Sequence, residues 1–227
     1  MANFDKEKFI EFILDNNIIG FFEKPIKLKS GRMSNWYVNW RIVTGDVYLL
    51  DQLANYIIAF TKDLGLKPDC FYGVPEGATK IAIITQYKWA SGSENYGPHS
   101  HALPMGRAKP KNHGAPDDKY FIGAPRGKTI VLEDVATTGD SLLESINALS
   151  EQKVPIIAAF VLTDRMELKD GKSVREIVSS KNVEYFALSN ALELLPKAYN
   201  KLKPDKRIAK AIEEEFEKYG VEKIKLV

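Results

Sequence analysis

One cysteine, three histidines and no long apolar run set the first limits on this 227-residue chain. The single cysteine, Cys70, excludes an intrachain disulfide and a cysteine-rich metal site. It sits in the apolar run Cys70-Phe71-Tyr72, the setting of a buried, inert thiol. His99 and His101 stand close together, yet no cysteine or acid is spaced with them as a zinc site requires, so they read as solvated side chains. No stretch approaches the roughly 20 apolar residues of a membrane-spanning helix. The start, MANFDKEKFIEF, is charged and amphipathic and lacks the pattern of a signal peptide. The expectation is a cytoplasmic protein without membrane contact. A charge excess is missing too: 32 basic residues face 30 acidic ones. That balance gives no case for bulk attraction to nucleic acid. Neither the Walker A pattern nor the G-x-G-x-x-G dinucleotide fingerprint occurs. No internal repeat or low-complexity tract is visible. The length suits one sizeable core, and a single domain over residues 1–227 is expected.

The most informative stretch is residues 128–146, KTIVLEDVATTGDSLLESI. Residues 129–132 are apolar and β-branched and read as a buried strand. Two acids follow, Glu133 and Asp134. A turn of small and hydroxyl residues comes next: Ala136, Thr137, Thr138, Gly139, Asp140 and Ser141. Leu142, Leu143, Ile146 and Leu149 then recur at helical spacing. Open α/β sheets bind ligands beyond the carboxyl ends of their strands, where this turn falls. A helix N-terminus with free N–H groups attracts anions. The acids cannot hold the same phosphate, but they can accept hydrogen bonds from sugar hydroxyls or stand near a metal. A phosphorylated sugar fits both halves. The same residues also spell an ordinary start to a helix, since Ser141-x-x-Glu144 is a capping box.

Elsewhere, residues 4–22 predict an amphipathic helix ending near Asn16 and Asn17. Residues 26–29 and 35–41 read as the strands of an aromatic-rich hairpin turning at Ser30-Gly31-Arg32. A helix capped by Thr44 or Asp46 runs to about Leu64. Residues 69–74 form a second buried strand, followed by the loop Pro75-Glu76-Gly77-Ala78-Thr79-Lys80 and a helix through Tyr87. A short strand is expected over 101–104. Residues 107–119 are long, polar and basic, the composition of a surface loop or of a functional insert. Further strands are predicted at 155–163 and 183–188, and helices at 173–180, 190–202 and 205–219. The alternation of strand and helix predicts an α/β fold, a mainly parallel sheet flanked by helices on both faces.

The run VLEDVATTGDS resembles the 5-phosphoribosyl-1-pyrophosphate (PRPP) motif of type I phosphoribosyltransferases. LKSGRMSNWYVN is similar to the amino-terminal signature of orotate phosphoribosyltransferases, and Arg-x-x-x-Lys-x-His-Gly at residues 107–114 resembles the mobile catalytic loop of that family. The resemblance implies the type I phosphoribosyltransferase fold, with residues 1–42 forming an N-terminal helix and hairpin hood. It implies transfer of phosphoribose from PRPP to orotate in pyrimidine synthesis. It places Arg107, Lys111, His113 and Asp134 in catalysis, and Lys109 stands in for a family lysine that would fall at Ala108. It assigns PRPP to Glu133, Asp134, Ala136, Thr137, Thr138, Gly139, Asp140 and Ser141, with Lys80 as the nearest cation of the pyrophosphate loop. The family lysine of that loop aligns with Gly77. Orotate falls to Lys29, Tyr37, Val38 and Arg165, although Val38 replaces a position that is commonly aromatic. Mg²⁺ is implied, held mainly by PRPP rather than by protein ligands. A homodimer is implied, with the 107–119 loop reaching the neighbouring subunit, and no nucleic-acid partner. The phosphate assignment requires Asp140 to turn outward or to cap the helix. Two rivals remain: a phosphoribosyltransferase for another base, and a non-catalytic PRPP sensor that binds RNA or DNA.

Overall fold

The computed structural model describes residues 3–109, 111 and 119–227. Helix α1, Lys6–Asp15, starts where the Asp5 carboxylate accepts the Lys8 N–H. The antiparallel strands β1, Ile19–Lys27, and β2, Met33–Val38, form the expected hairpin. β1 begins earlier than predicted. Its register breaks between Phe21 and Ile26, around Glu23-Lys24-Pro25, where a proline that cannot donate to the ladder interrupts the strand pattern. Arg41 starts a one-turn helix, α2 (Arg41–Thr44), instead of ending β2. α3, Val47–Asp63, is capped by Asp46.

Strand β3, Cys70–Gly73, leads to α4, Thr79–Ser91. The short strand expected at 101–104 lies slightly later: β4, Met105–Gly106, pairs with β5, Phe121–Ile122. Then follow β6 (Thr129–Ala136), α5 (Asp140–Glu151), β7 (Ile156–Asp164), α6 (Val174–Ser179), β8 (Glu184–Asn190), α7 (Ala191–Leu202) and α8 (Lys206–Tyr219). The main sheet has the order β3-β6-β7-β8, and every pairing in it is parallel.

Both faces of this sheet are covered, as period-two alternation requires of a buried parallel sheet. Ile130 and Leu132 of β6, with Ala158, Phe160 and Leu162 of β7, join the core formed with α1, α3, α4, α7 and α8. Their neighbours Val131, Ala159 and Val161 point the other way, to Leu142, Ile146 and Leu149 of α5 and Val174 and Val178 of α6. β6 is longer than its apolar run. It continues through the acids because β7 runs equally far and supplies partners up to Ala136 and Asp164. Glu133 and Asp134 therefore sit on the strand, on opposite faces, rather than after it. No described helix is long and apolar enough to cross a membrane.

Candidate active site

The loops after β3, β6 and β7 leave the carboxyl edge of the sheet. After β6 the chain turns at Gly139, whose φ of 76° lies in the left-handed region that favours glycine. A Cβ there would also stand 3.0 Å from Val174 Cγ1. The predicted capping box does not form: no side chain caps α5. Asp5, Asp46, Ser173, Asn190 and Asp205 cap α1, α3, α6, α7 and α8. The uncapped N–H groups of α5 remain suited to an anion. Ser141 instead accepts a hydrogen bond of 2.7 Å from Lys29 Nζ. Lys29, Ser30, Glu133 and residues 135–141 enclose a cleft of about 140 Å³.

Asp140 lines this cleft without capping the helix. Its carboxylate accepts the Thr138 hydroxyl at 2.8 Å and pairs with Lys169. The hydrogen bond from Lys169 holds its carboxyl below the ordinary range. The half-exposed side chain is thereby held between Lys169 and Thr138, which lines the same cleft.

The two acids differ in setting. Glu133 is buried, and Asp134 is half-buried. Burial, followed by the charge of Asp134, pushes the Glu133 carboxyl well above its ordinary value. Asp134 faces the loop after β3. A Cβ on Gly77 would lie 2.6 Å from each Asp134 oxygen. That close approach gives a physical reason for glycine at the position where the family signature carries lysine. Lys80 does not line the cleft. Its Nζ donates at 3.3 Å to the carbonyl of Thr44, the last residue of α2. A cation at a helix carboxyl end is favourable in its own right.

The basic loop grows from β4 and β5. Arg107 N–H donates to the Tyr120 carbonyl at 2.9 Å and Lys111 N–H to that of Lys119 at 2.8 Å, extending the hairpin. Arg107, Lys109 and Lys111 thus rise on one arm of it. Its base is fixed at Gly106, where a Cβ would lie 2.1 Å from the Tyr72 hydroxyl and 2.9 Å from Pro75 Cγ. His113 lies outside the described residues, as does Gly114.

The β1–β2 hairpin brings Lys29 to the cleft, but two of its companions are placed otherwise than expected. Tyr37 is half-buried, whereas Val38 is 3% exposed and packs in the main core opposite Ile19. Alternation along β2 turns these neighbours to opposite faces, so Val38 cannot line the same surface as Tyr37. Arg165 is 1% exposed and lies outside the cleft. Its donors are taken by Glu167, Glu215, Ser34 and the Trp36 carbonyl. The carboxylate fork expected at Arg165 is therefore occupied from within the protein.

No family model matches the chain. Orotate phosphoribosyltransferases are among the curated proteins and the solved structures that it resembles. It is 29% identical to an orotate phosphoribosyltransferase of Lachnoclostridium phytofermentans, covering 96% of this chain and 98% of that one. It is 27% identical to the orotate phosphoribosyltransferase of Aquifex aeolicus over 86% of this chain and all of that one. The solved orotate phosphoribosyltransferase of Francisella tularensis superposes with a TM-score of 0.66 at 25% identity, covering 94% of this chain and 99% of that one. The chain is a relative of the orotate phosphoribosyltransferases. Its parallel sheet with helices on both faces is the type I phosphoribosyltransferase fold.

For an orotate phosphoribosyltransferase relative, one cleft residue and several charged residues around the site had escaped sequence reading. Ser30 lines the cleft with a buried hydroxyl that has no partner among the described residues. Its place beside Lys29 in the hairpin turn was the available signal. Lys169, Glu167 and Glu215 had none, because they are brought in by tertiary packing. His101 bonds to Ser93 and Ser100 through its two ring nitrogens, which accounts for it without a metal.

Mg²⁺ characteristically takes one or two carboxylates plus substrate phosphates and keeps several waters. The donor set suits that mode. Asp134 is a half-buried carboxylate beside the 75–80 loop.

The raised Glu133 carboxyl gives a stability prediction. The folded state holds this proton more tightly than the unfolded state does. Its contribution is complete below the unfolded carboxylate pKa, about 4.3, and is lost as pH rises through the higher folded value. Glu133→Gln removes the titration and leaves the other carboxylates in place. The melting temperature of the variant relative to the original should therefore climb from pH 4.5 to pH 8. Parallel melting curves across that range would contradict the assignment.

Proposed function

We propose that this protein is an orotate phosphoribosyltransferase. It joins orotate to PRPP, giving orotidine 5′-monophosphate and pyrophosphate, in pyrimidine (UMP) biosynthesis. The observation that carries the reading is one cleft in which the uncapped start of α5, Lys29 and Glu133 converge, with Asp134 on the other face of β6 against the 75–80 loop. An anion satisfies the N–H groups of α5, so the 5′-phosphate belongs there. Glu133 and Asp134 then meet the ribose. A neutral Glu133 can both donate to and accept from sugar hydroxyls, while charged Asp134 favours the positive character that develops at C1′ as the bond to pyrophosphate loosens. The 75–80 loop, packed against Asp134, meets the pyrophosphate. Arg107, Lys109 and Lys111 neutralise the leaving group as their hairpin closes, and His113 of the same sequence stretch assists them. Lys29 and the ring of Tyr37 orient the anionic base. Bound Mg²⁺ supplies further charge neutralisation to the diphosphate, with Asp134 as the nearest protein carboxylate.

The whole chain acts as one catalytic unit with residues 1–42 as its hood. It works in the cytoplasm as a homodimer whose 107–119 loop reaches the neighbouring site. The direct test follows loss of orotate absorbance when enzyme, PRPP and Mg²⁺ are mixed, with uracil, hypoxanthine and adenine as competing bases. Orotate turnover is expected, with little for the others. Turnover of another base alone would transfer the reading to that base. PRPP-dependent release of nucleic acid without turnover would instead indicate a sensor.

A further inference from the structure

A cluster of four charges, three of them buried, sits at the end of β7, outside the cleft. Arg165 donates through Nε to Glu167 Oε1 at 2.7 Å. Its Nη2 reaches Glu215 Oε1 at 2.8 Å and Ser34 Oγ at 2.9 Å. The guanidinium lies 3.7 Å from the centre of the Trp36 ring. The other Glu167 oxygen receives Arg32 Nη1 at 2.6 Å, and Arg32 lies 4.3 Å from the Tyr219 ring centre. Arg32, Ser34 and Trp36 belong to the hairpin. Arg165 and Glu167 belong to the turn after β7, and Glu215 and Tyr219 to α8.

Apolar residues could join these segments at equal or lower cost, since desolvation offsets much of the gain from a buried ion pair. What charges add is register, because each oxygen accepts from a particular donor. The turn itself is closely determined. Met166 has a φ of 56°, uncommon for a residue with a side chain. Its N–H is held by Asp164 Oδ1 at 2.7 Å, and its carbonyl by the Val221 N–H at 2.8 Å. Glu215 closes the cluster by also accepting from the Ser34 hydroxyl at 3.0 Å. Burial pushes its carboxyl above the ordinary value, and the Arg165 charge is the largest influence pulling it back.

We propose that Glu215 is a positioning residue for base recognition: by fixing Arg165 against Ser34 and Trp36, it holds the hairpin so that Lys29 and Tyr37 stay in register with the loop between β6 and α5. The proposal rests on the orotate transferase reading. Arg165 then serves as an internal strut, and α8, remote from the chemistry in sequence, controls affinity for the base.

The test compares Glu215→Ala and Glu215→Gln in the full chain. Glutamine keeps an acceptor for Arg165 and a partner for Ser34; alanine keeps neither. The KM for orotate should rise about tenfold in Glu215→Ala, a scale typical of modest mispositioning. Most of that loss should be recovered in Glu215→Gln, and the KM for PRPP should stay within about twofold in both. Equal changes in both KM values, or an unchanged orotate KM in a folded variant, would overturn the proposal. If alanine prevents folding, the glutamine variant carries the comparison against Glu215→Asp, whose shorter arm should raise orotate KM. If the original protein turns over no orotate, the transferase reading falls. The strut is then read from the Trp36 indole N–H resonance, assigned with Trp36→Phe. It should shift in Glu215→Ala, or in Glu215→Asp where alanine prevents folding, and an unmoved signal there would overturn the strut as well.

Discussion

Asp134→Asn is expected to reduce turnover by about 100-fold or more, with the melting temperature nearly unchanged. The substitution preserves shape, which matters because Gly77 leaves room for this side chain and nothing larger: a Cβ at 77 would already be 2.6 Å from the carboxylate. What the substitution removes is charge. Burial and the charge of Asp134 keep the neighbouring Glu133 protonated to unusually high pH, so Asp134 supplies the negative charge of the pair. A positive C1′ feels that charge at the transition state more than in the ground state, so kcat should fall further than affinity for PRPP. Steady-state kinetics with orotate and PRPP, alongside thermal melts, checks both halves. A folded Asp134→Asn enzyme with nearly full kcat would remove the ribose role from Asp134.

The fold was largely legible because its main strands are short apolar runs between helices of clear periodicity. Residues 129–132 announced β6, and residues 206–219 kept their polar and apolar faces apart. The errors arose where pairing or packing outweighs local pattern. β6 continues through Glu133 and Asp134 because β7 offers partners there. β1 extends back to Ile19 across a proline-containing bulge. The site was legible as a set of chemistries, less so as a set of directions. The resemblance assigned Lys29 to the base and the 136–141 loop to PRPP, and both line one cleft. It could not foresee that Val38 would face the core, that Lys80 would turn to Thr44, or that Arg165 would be enclosed by Glu167 and Glu215. Lys80 and Arg165 depend on contacts more than 30 residues away, with Thr44 and Glu215, and Val38 on its pairing with Ile19 in the hairpin.

Gly106→Ala should be nearly as damaging as the loss of Asp134, for a reason of geometry alone. Gly106 carries no chemistry, but it precedes Arg107 and forms the base of the hairpin that presents Lys109 and Lys111. A methyl group there would lie 2.1 Å from the Tyr72 hydroxyl, 2.8 Å from Tyr72 Cζ and 2.9 Å from Pro75 Cγ. Tyr72 is buried in β3, and burial raises its phenol to a pKa of about 12. It cannot move aside without disturbing Phe121, whose ring lies edge-on at 5.9 Å. The hairpin base must shift instead, away from the loop that is to hold pyrophosphate. A displacement near 1 Å costs on the order of 100-fold in rate where charges must meet a leaving group. Binding of orotate to the hood should change little. The double variant Gly106→Ala with Tyr72→Phe separates this account from general damage. Removing the hydroxyl relieves the tightest contact and leaves those with Cζ and Pro75, so part of the lost kcat should return even though Tyr72→Phe alone restores nothing. Such coupling is what a double-mutant cycle measures between residues in contact. Strictly additive losses in the cycle would show that the Gly106–Tyr72 approach does not position the basic loop.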